Sequence, residues 1–423
     1  MLFKVANLNT VTITTKIIAG VLTSKAIAVF IGAEGMALIG NLRNFVSAIQ
    51  SFAILGIYKG LVKFISNVKE ESVALSKTIS TAYYLGFFTT ILLAFFSYYN
   101  AQFINDFLFS TNYNYAYIIK ILALALPFYS LNMFTFSIMN GFSKFRMLLV
   151  ISTIGQVLGL LVTLLLIWQN NIDGALISVV ISPSLIFLIS IVGIVNQRNL
   201  MSEVKVTNID FGILKKLGPY AVTALVSAIA LPLVLIMVRN YIIEFVGIKE
   251  AGYWEAMNRI SNYYLMFINS LMALYILPRF SQIHTKEAFR NEVISFYKSV
   301  LPIFIIGLVA IYLLRPFIIS LIFTDEFKPV EDLFLWQLLG DLMKVLSTVI
   351  AYQFLAKKMF WHFVILEIFL FVIMYFSSVY LIDDFGVKGA VMGHFVTYVM
   401  HYAIVLLIFA SSLFGVEQEN ESI

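Results

Sequence analysis

"MALIGNLRNFVSAIQ", residues 36–50, decides how this chain is read. It lies in an apolar run long enough to cross a bilayer, yet holds Gly40, Asn41, Arg43 and Asn44 where a lipid-facing helix would carry leucine. An arginine at a bilayer centre costs about 2.5–3.5 kcal/mol on insertion scales. A partner carboxylate, water or an anionic cargo has to offset that cost. A polar stripe on an otherwise apolar helix therefore predicts a helical bundle whose interior includes a wet cavity.

Composition supports the membrane reading. The 423 residues are 61% hydrophobic and only 12% charged, against about 45–50% apolar and about 25% charged in soluble domains. The short alternating segments of a membrane β-barrel are missing, so the expected class is an all-α polytopic membrane protein. Zero cysteines leave no disulfide, thiolate metal site or cysteine nucleophile. "MLFKVANLNTVTITTK" lacks the short apolar core and small-residue cleavage site of a signal peptide, so the first span is expected to insert uncleaved.

Runs of spanning length fall near 10–32, 36–62, 78–100, 114–139, 145–168 and 174–196. A second set lies near 216–242, 251–277, 297–321, 333–355, 360–382 and 387–413. About twelve spans follow, with residues 196–216 as the longest polar connector. Alternate loops hold the lysines and arginines, among them Lys63, Lys69, Lys77, Lys144, Arg146, Arg279, Lys357 and Lys358. Positive charge stays cytoplasmic, which places both termini in the cytoplasm. The acidic tail from Gly415 onward is assigned no function.

The halves resemble each other. "LVKFIS" at 61–66 matches "LPRFSQ" at 277–282, "NGFSKFR" at 140–146 lies opposite "LAKKMFW" at 355–361, and "DGALIS" at 173–178 opposite "KGAVMG" at 388–393. The offset stays within 215–217. The expected domains are an N-lobe, 1–205, with helices 1–6 and the start of the connector, and a C-lobe, 206–423, with helices 7–12 and the tail. A parallel repeat of this kind predicts a cargo site between the pseudo-symmetric six-helix lobes.

Ionisable residues inside the spans are Lys16, Lys25, Arg43, Lys120, Arg239, Glu255, Arg259, Asp341, Lys344 and Glu367. Cations outnumber anions among them, which suits a cavity that receives an anion. For Lys16, Lys120 and Arg239 snorkelling to an interface is the alternative reading, which shrinks that excess. Glu255, Asn258, Arg259, Asn262 and Asn269 form a stripe at helical spacing, and Arg43, Ser47 and Gln50 form its counterpart. Asp341 and Lys344, like Glu255 and Arg259, share a helix face and can pair; a role in ion coupling is the other reading, also open for Glu367. Lys25 reads equally as cavity or interface. His394 and His401 read as packing residues, with proton transfer as the alternative. Prolines such as Pro127, Pro183 and Pro278 mark places where spans can bend. No phosphate-cradling loop, HExxH or GxSxG is found, so no catalytic residue or metal ligand is expected, and the chain reads as no enzyme.

"GAEGMALIGNLRNF" (32–45), "AGYWEAMNRIS" (251–261) and "LFLWQLLGDLMKV" (333–345) carry a resemblance. The chain resembles bacterial polysaccharide flippases of the O-antigen translocase and lipid III flippase group, within the superfamily that includes the multidrug and toxin extrusion (MATE) transporters. The resemblance implies a MATE-like fold in the bacterial inner membrane. It also implies alternating access that moves undecaprenyl-pyrophosphate-linked O-antigen units from the cytoplasmic to the periplasmic leaflet. Lys25, Asn41, Arg43, Asn258, Arg259 and Asn262 are the candidate substrate-binding residues; Glu255, Asp341, Lys344 and Glu367 are candidates for coupling or for structural ion pairs. A lipid III unit of enterobacterial common antigen is the alternative cargo, and a drug or cation antiporter a more distant one. No cofactor is expected; proton or sodium coupling is open. Expected partners are the lipid-linked oligosaccharide, membrane lipids, and the polymerase and chain-length machinery of the same pathway; nucleic acid is not among them.

Overall fold

In hydrocarbon the backbone has no water to bond, so an apolar run must close its own hydrogen bonds as a helix or join a barrel. The computed structural model, which describes residues 2–109, 111, 113–195 and 208–415, takes the helical solution throughout and has no strand among those residues. Among the described residues ten helical segments are long and apolar enough to cross a membrane, and the chain is a multi-pass membrane protein. Two features reconcile ten with the expected twelve. The segment Phe145–Val192 is 48 residues long and breaks at Asn171, where φ is 48°, so it holds two crossings. Gly32–Ala53 has spanning length, 22 residues, but its polar stripe lowers its hydropathy below that of the ten.

The chain divides into two compact units, Met1–Ile236 and Met237–Ile423. The first contains α1 (Leu2–Phe30), α2 (Gly32–Ala53), α3 (Tyr58–Val68), α4 (Ser72–Tyr99), α5 (Ala101–Phe109), α6 (Ala116–Gly141), α7 (Phe145–Val195) and most of α8 (Phe211–Phe245). The change of unit falls inside α8. The connector residues 196–207 and the tail residues 416–423 lie outside the described residues. Within this unit α7 packs against α1, α2 and α6, and α6 also receives α3 and α4. Ile54, Ile57, Leu61, Ile65, Ile79, Phe134, Ile138 and Leu217 make one buried cluster at the α2–α3 corner. Small hydroxyls fasten the helices where they touch: Thr90 donates to Ser130 at 2.8 Å, and Ser190 to Asn132 at 2.5 Å.

The second unit continues with α9 (Ile248–Leu271), a π turn (Met272–Ile276), α10 (Leu277–Gln282), α11 (Lys286–Ser299), α12 (Leu301–Leu313) and α13 (Arg315–Ile322). A 3₁₀ stretch (Asp325–Leu333) leads into α14 (Phe334–Ala356), α15 (Phe360–Phe385), α16 (Val387–Ile408) and α17 (Ala410–Phe414). The π turn immediately precedes Pro278, whose missing N–H and bulky ring disturb the helical ladder upstream. Helix α16 packs along α14 and α15, while α9 touches both α14 and α16. A core of Phe280, Phe289, Phe296, Val349, Phe354 and Phe409 joins the opposite ends of these helices.

The repeat seen in the sequence reaches the backbone. Positive φ angles recur 215 positions apart: Gly32 and Gly247, Ser143 and Lys358, Asn171 and Gly386. The same hydrogen bond turns the chain at both middle sites, Lys144 N to Met139 O and Met359 N to Phe354 O, each 2.8 Å. A Cβ at Gly174 would run into the carbonyl of Leu166, and one at Gly389 into the carbonyl of Leu381. Those positions keep the 215-residue offset, so each unit uses a glycine to fold one span back on the next.

Candidate functional site

In the first unit the stripe on α2 divides by depth. Arg43 and Ser47 are exposed, Asn44 is half-buried and Gln50 is buried. The side-chain amide nitrogens of Asn44 and Gln50 are buried without a hydrogen-bond partner among the described residues. Buried donors are ordinarily satisfied, so unused donors on a polar stripe mark a surface suited to acceptor-rich ligands. Lys16 on α1 lies within electrostatic reach of Arg43, and Lys25, on the same helix, is half-buried. Lys16 is therefore adjacent to the stripe, which an interfacial lysine need not be. Lys120 is exposed and sits over the Tyr98 ring, 5.6 Å from its centroid.

Asn41 has a structural partner. It is fully buried and donates to the backbone carbonyl of Leu108 at 2.8 Å. It fastens α2 to α5. Helical geometry explains this: Asn41 and Arg43 are two residues apart, so they project to nearly opposite sides.

In the second unit the corresponding stripe lies on α9. Arg239 from α8 and Arg259 share one carboxylate: Arg239 Nη2 reaches Glu255 at 2.6 Å and Arg259 Nε reaches it at 3.0 Å. Arg239 does not snorkel: it is fully buried, and its guanidinium also covers the Trp254 ring at 5.3 Å. The partner carboxylate sits 16 positions along the chain on another helix, a contact no helix-spacing rule detects. Two guanidinia against one carboxylate leave this triad with a net positive charge. Asn258 is half-buried with its amide nitrogen unpartnered among the described residues, and Asn262 and Asn269 are exposed. At the repeat offset Arg43-Asn44 stands opposite Asn258-Arg259. Each unit thus carries one arginine and one asparagine with an unused amide donor, side by side.

A separate polar cluster surrounds Asp341 on α14, which is fully buried. Ser261 donates to it at 2.6 Å, Gln337 at 3.3 Å, Tyr264 also donates, and His394 Nε2 lies 3.0 Å away. Lys344 sits over the Tyr398 ring at 5.3 Å and stays within electrostatic reach of Asp341, while His394 from α16 makes the hydrogen bond to the carboxylate. His394 is buried, and its bond to Asp341 crosses 53 positions of sequence, which leaves no local signal. His401 is buried with Nδ1 unpartnered among the described residues, in keeping with packing. Glu367 is half-buried on α15, within electrostatic reach of Lys344. No group of three or more potential metal ligands occurs among the described residues.

Comparison with known proteins agrees with this architecture. The chain is 27% identical over 391 residues to the lipid III flippase of Escherichia coli (strain K12), covering 92% of this chain and 93% of the relative. The lipid III flippase of Shigella flexneri matches to the same extent. Among solved structures, an inward-facing multidrug resistance MATE family transporter of the MOP superfamily superposes with a TM-score of 0.78 at 14% identity, covering 94% of this chain and 96% of that one. The lipid II flippase MurJ, in an inward closed conformation, gives 0.68 at 18% identity, covering 97% and 90%. These structures establish a MATE-like fold. A family model described as polysaccharide biosynthesis protein matches residues 27–332, well over half the length. The chain therefore belongs to the polysaccharide biosynthesis protein family and has the fold of the MOP-superfamily transporters.

Proposed function

We propose that the protein is a flippase that carries a polyprenyl-pyrophosphate-linked oligosaccharide from the cytoplasmic to the periplasmic leaflet of the bacterial inner membrane. The observation that carries this reading is the repeated arginine–asparagine pair, Arg43-Asn44 and Asn258-Arg259, one in each unit of a chain that is only 12% charged. A guanidinium offers a planar fork of donors matched to phosphate oxygens, and unused amide donors suit phosphate and sugar hydroxyls alike. Lys16 and Lys25 add positive charge in the first unit, and the Arg239–Glu255–Arg259 triad adds it in the second. Such surroundings favour a pyrophosphate and repel a cationic drug. The polyprenyl chain needs no polar site and can remain among membrane lipids.

Two cargoes fit this chemistry. An O-antigen unit is the first reading, carried by the motif resemblance of the sequence; a lipid III unit is the second, supported by the two curated relatives that bear that name. Both readings make the protein a transporter and not an enzyme. Its termini lie in the cytoplasm on the charge pattern of the loops, and the polymerase and chain-length machinery of the same pathway are its proposed neighbours. Deleting the gene and analysing membrane lipids by mass spectrometry separates the readings. A completed unit accumulating on the polyprenyl pyrophosphate supports the flippase and identifies the sugar. An unchanged lipid pool with altered drug sensitivity, in a strain lacking related flippases, assigns the chain to drug export.

A further inference from the structure

Helix α2 has a second face, which the proposed cargo site leaves unused. Phe45, Ala48, Ile49 and Phe52 recur at helical spacing. They lie opposite the stripe of Arg43, Ser47 and Gln50, since residues two apart on a helix point to nearly opposite sides. With side chains from α4, α5 and α8, this face lines a cavity of about 300 Å³, within the size range of ligand pockets. Helix α8 contributes Ile229, Leu233 and Ile236. The start of α8 is seated at the α2–α3 corner through Leu217; beyond that corner the cavity lies between α8 and the other three helices. A void leaves its walls without dispersion partners, so a chain that fills it stabilises them.

The wall determines what fits. No charged side chain lines it, and Phe52, Phe96, Phe103 and Leu233 are exposed at its mouth. The cavity therefore opens onto an apolar outer surface, which Phe88, Leu92 and Phe95 continue along α4. In a membrane protein that surface meets hydrocarbon chains. One polar group interrupts the wall: Ser97 is 0% exposed, and its hydroxyl has no hydrogen-bond partner among the described residues. Other helical hydroxyls in this chain bond back one turn, Thr90 to Gly86 at 2.7 Å, Ser137 to Met133 at 2.9 Å and Thr397 to Gly393 at 2.6 Å. Buried hydroxyls are ordinarily bonded, so Ser97 keeps a donor for an acceptor in the cavity. Its depth identifies that acceptor. Ser97 lies on the last turn of α4, where the exposed Tyr98 and Tyr99, followed by Asn100 and Gln102, mark the membrane interface. Phospholipid ester carbonyls lie at this boundary, and the acyl chains run from it into the hydrocarbon. A polyprenyl pyrophosphate would bring two phosphates to the same level, where an uncharged wall cannot neutralise them; Lys120, over the Tyr98 ring, is an exposed cation outside that wall.

We propose that this cavity binds one ester-linked acyl chain of a bilayer phospholipid. The Ser97 hydroxyl donates to the ester carbonyl, and the chain fills the space between α8 and the face of α2 formed by Phe45, Ala48, Ile49 and Phe52. The bound lipid is a structural partner, recognised by its chain and its ester and not by its head group. The site does not depend on the identity of the cargo.

The test uses the full chain in nanodiscs of diacyl phosphatidylglycerol that include a small fraction of the same lipid with a diazirine on one acyl chain. After irradiation, adducts are mapped by peptide mass spectrometry. The expected result is labelling at Phe96 and Leu233 several times that at Ile303 and Ile306, which are exposed on α12. Equal labelling of cavity and open surface overturns the site, and this measurement needs no variant to fold. The bulk lipid is then changed to its dialkyl ether analogue, which lacks the carbonyl. The ester-linked probe now competes better, and cavity labelling is expected to rise about fivefold, the worth of one hydrogen bond. Ser97→Ala is expected to remove that rise, and Ala48→Trp, which fills the cavity, to lower labelling at Leu233 severalfold. A cavity signal that ignores both the ether lipid and Ser97→Ala overturns the part given to Ser97. Adding a small mole fraction of polyprenyl phosphate is expected to leave the labelling unchanged. A fall to the surface level assigns the cavity to a polyprenyl chain and overturns the phospholipid.

Discussion

At the residue scale, two arginines that look alike in the sequence do different work. Arg259 is locked to Glu255 and buried, whereas Arg43 is exposed on its helix. Removing Glu255 leaves Arg239 and Arg259 facing each other without their shared anion, and breaking a buried pair this way costs about 3–5 kcal/mol. Glu255→Gln is therefore expected to lower the melting temperature in detergent sharply. Arg43→Ala should change it little, within about 0.5 kcal/mol as for other exposed positions, while failing to complement a flippase deletion at normal expression. Complementation by Arg43→Ala at wild-type level would remove that residue from the mechanism. Asn41 behaves in the opposite sense: Asn41→Ala leaves the Leu108 carbonyl unpaired and should cost about 1–3 kcal/mol, with cargo binding by the folded fraction unchanged. A binding assay that showed reduced affinity without reduced stability would place Asn41 in the cargo site.

At the element scale, helices and their ends were legible in the sequence because apolar length and turn residues are local properties. The break inside α7 is an instance. Asn171 adopts φ 48° and ψ −121°, a region that a side chain tolerates poorly, and its repeat partner is Gly386 with φ 58°. Asn171→Gly should relieve strain of about 1–3 kcal/mol, partly offset by the entropy of the unfolded glycine, and so raise the melting temperature modestly. A lower melting temperature would show that the asparagine side chain holds the turn. Gly174→Ala and Gly389→Ala should both reduce the yield of monodisperse protein, because each Cβ meets a carbonyl of the preceding span. If only one of them does so, the two units do not fold their spans back by the same device. Helix α2 was legible for a different reason: its polar stripe weakens it as a hydropathy signal and makes it conspicuous among apolar spans.

At the scale of the whole molecule, charge distribution fixes orientation before any contact forms, because lysine and arginine resist transfer across the membrane. The cysteine-free sequence makes this directly measurable. Single cysteines at Lys144 and Lys357 should react with an impermeant maleimide only after the cytoplasmic side is opened, and those at Asp106 and Asp383 in intact cells stripped of the outer membrane. Labelling of the first pair in such cells would invert the topology. Taken alone, the sequence determined the helical class, the approximate spans, the internal repeat and the residue types available to an anionic cargo, since each depends on composition or short-range spacing. The tertiary structure decided which polar residues meet: Arg239 with Glu255, His394 with Asp341, Asn41 with Leu108. Those partners come from different helices, and a buried charge or amide takes whichever neighbour packing delivers to satisfy it, a choice that no spacing along one helix encodes.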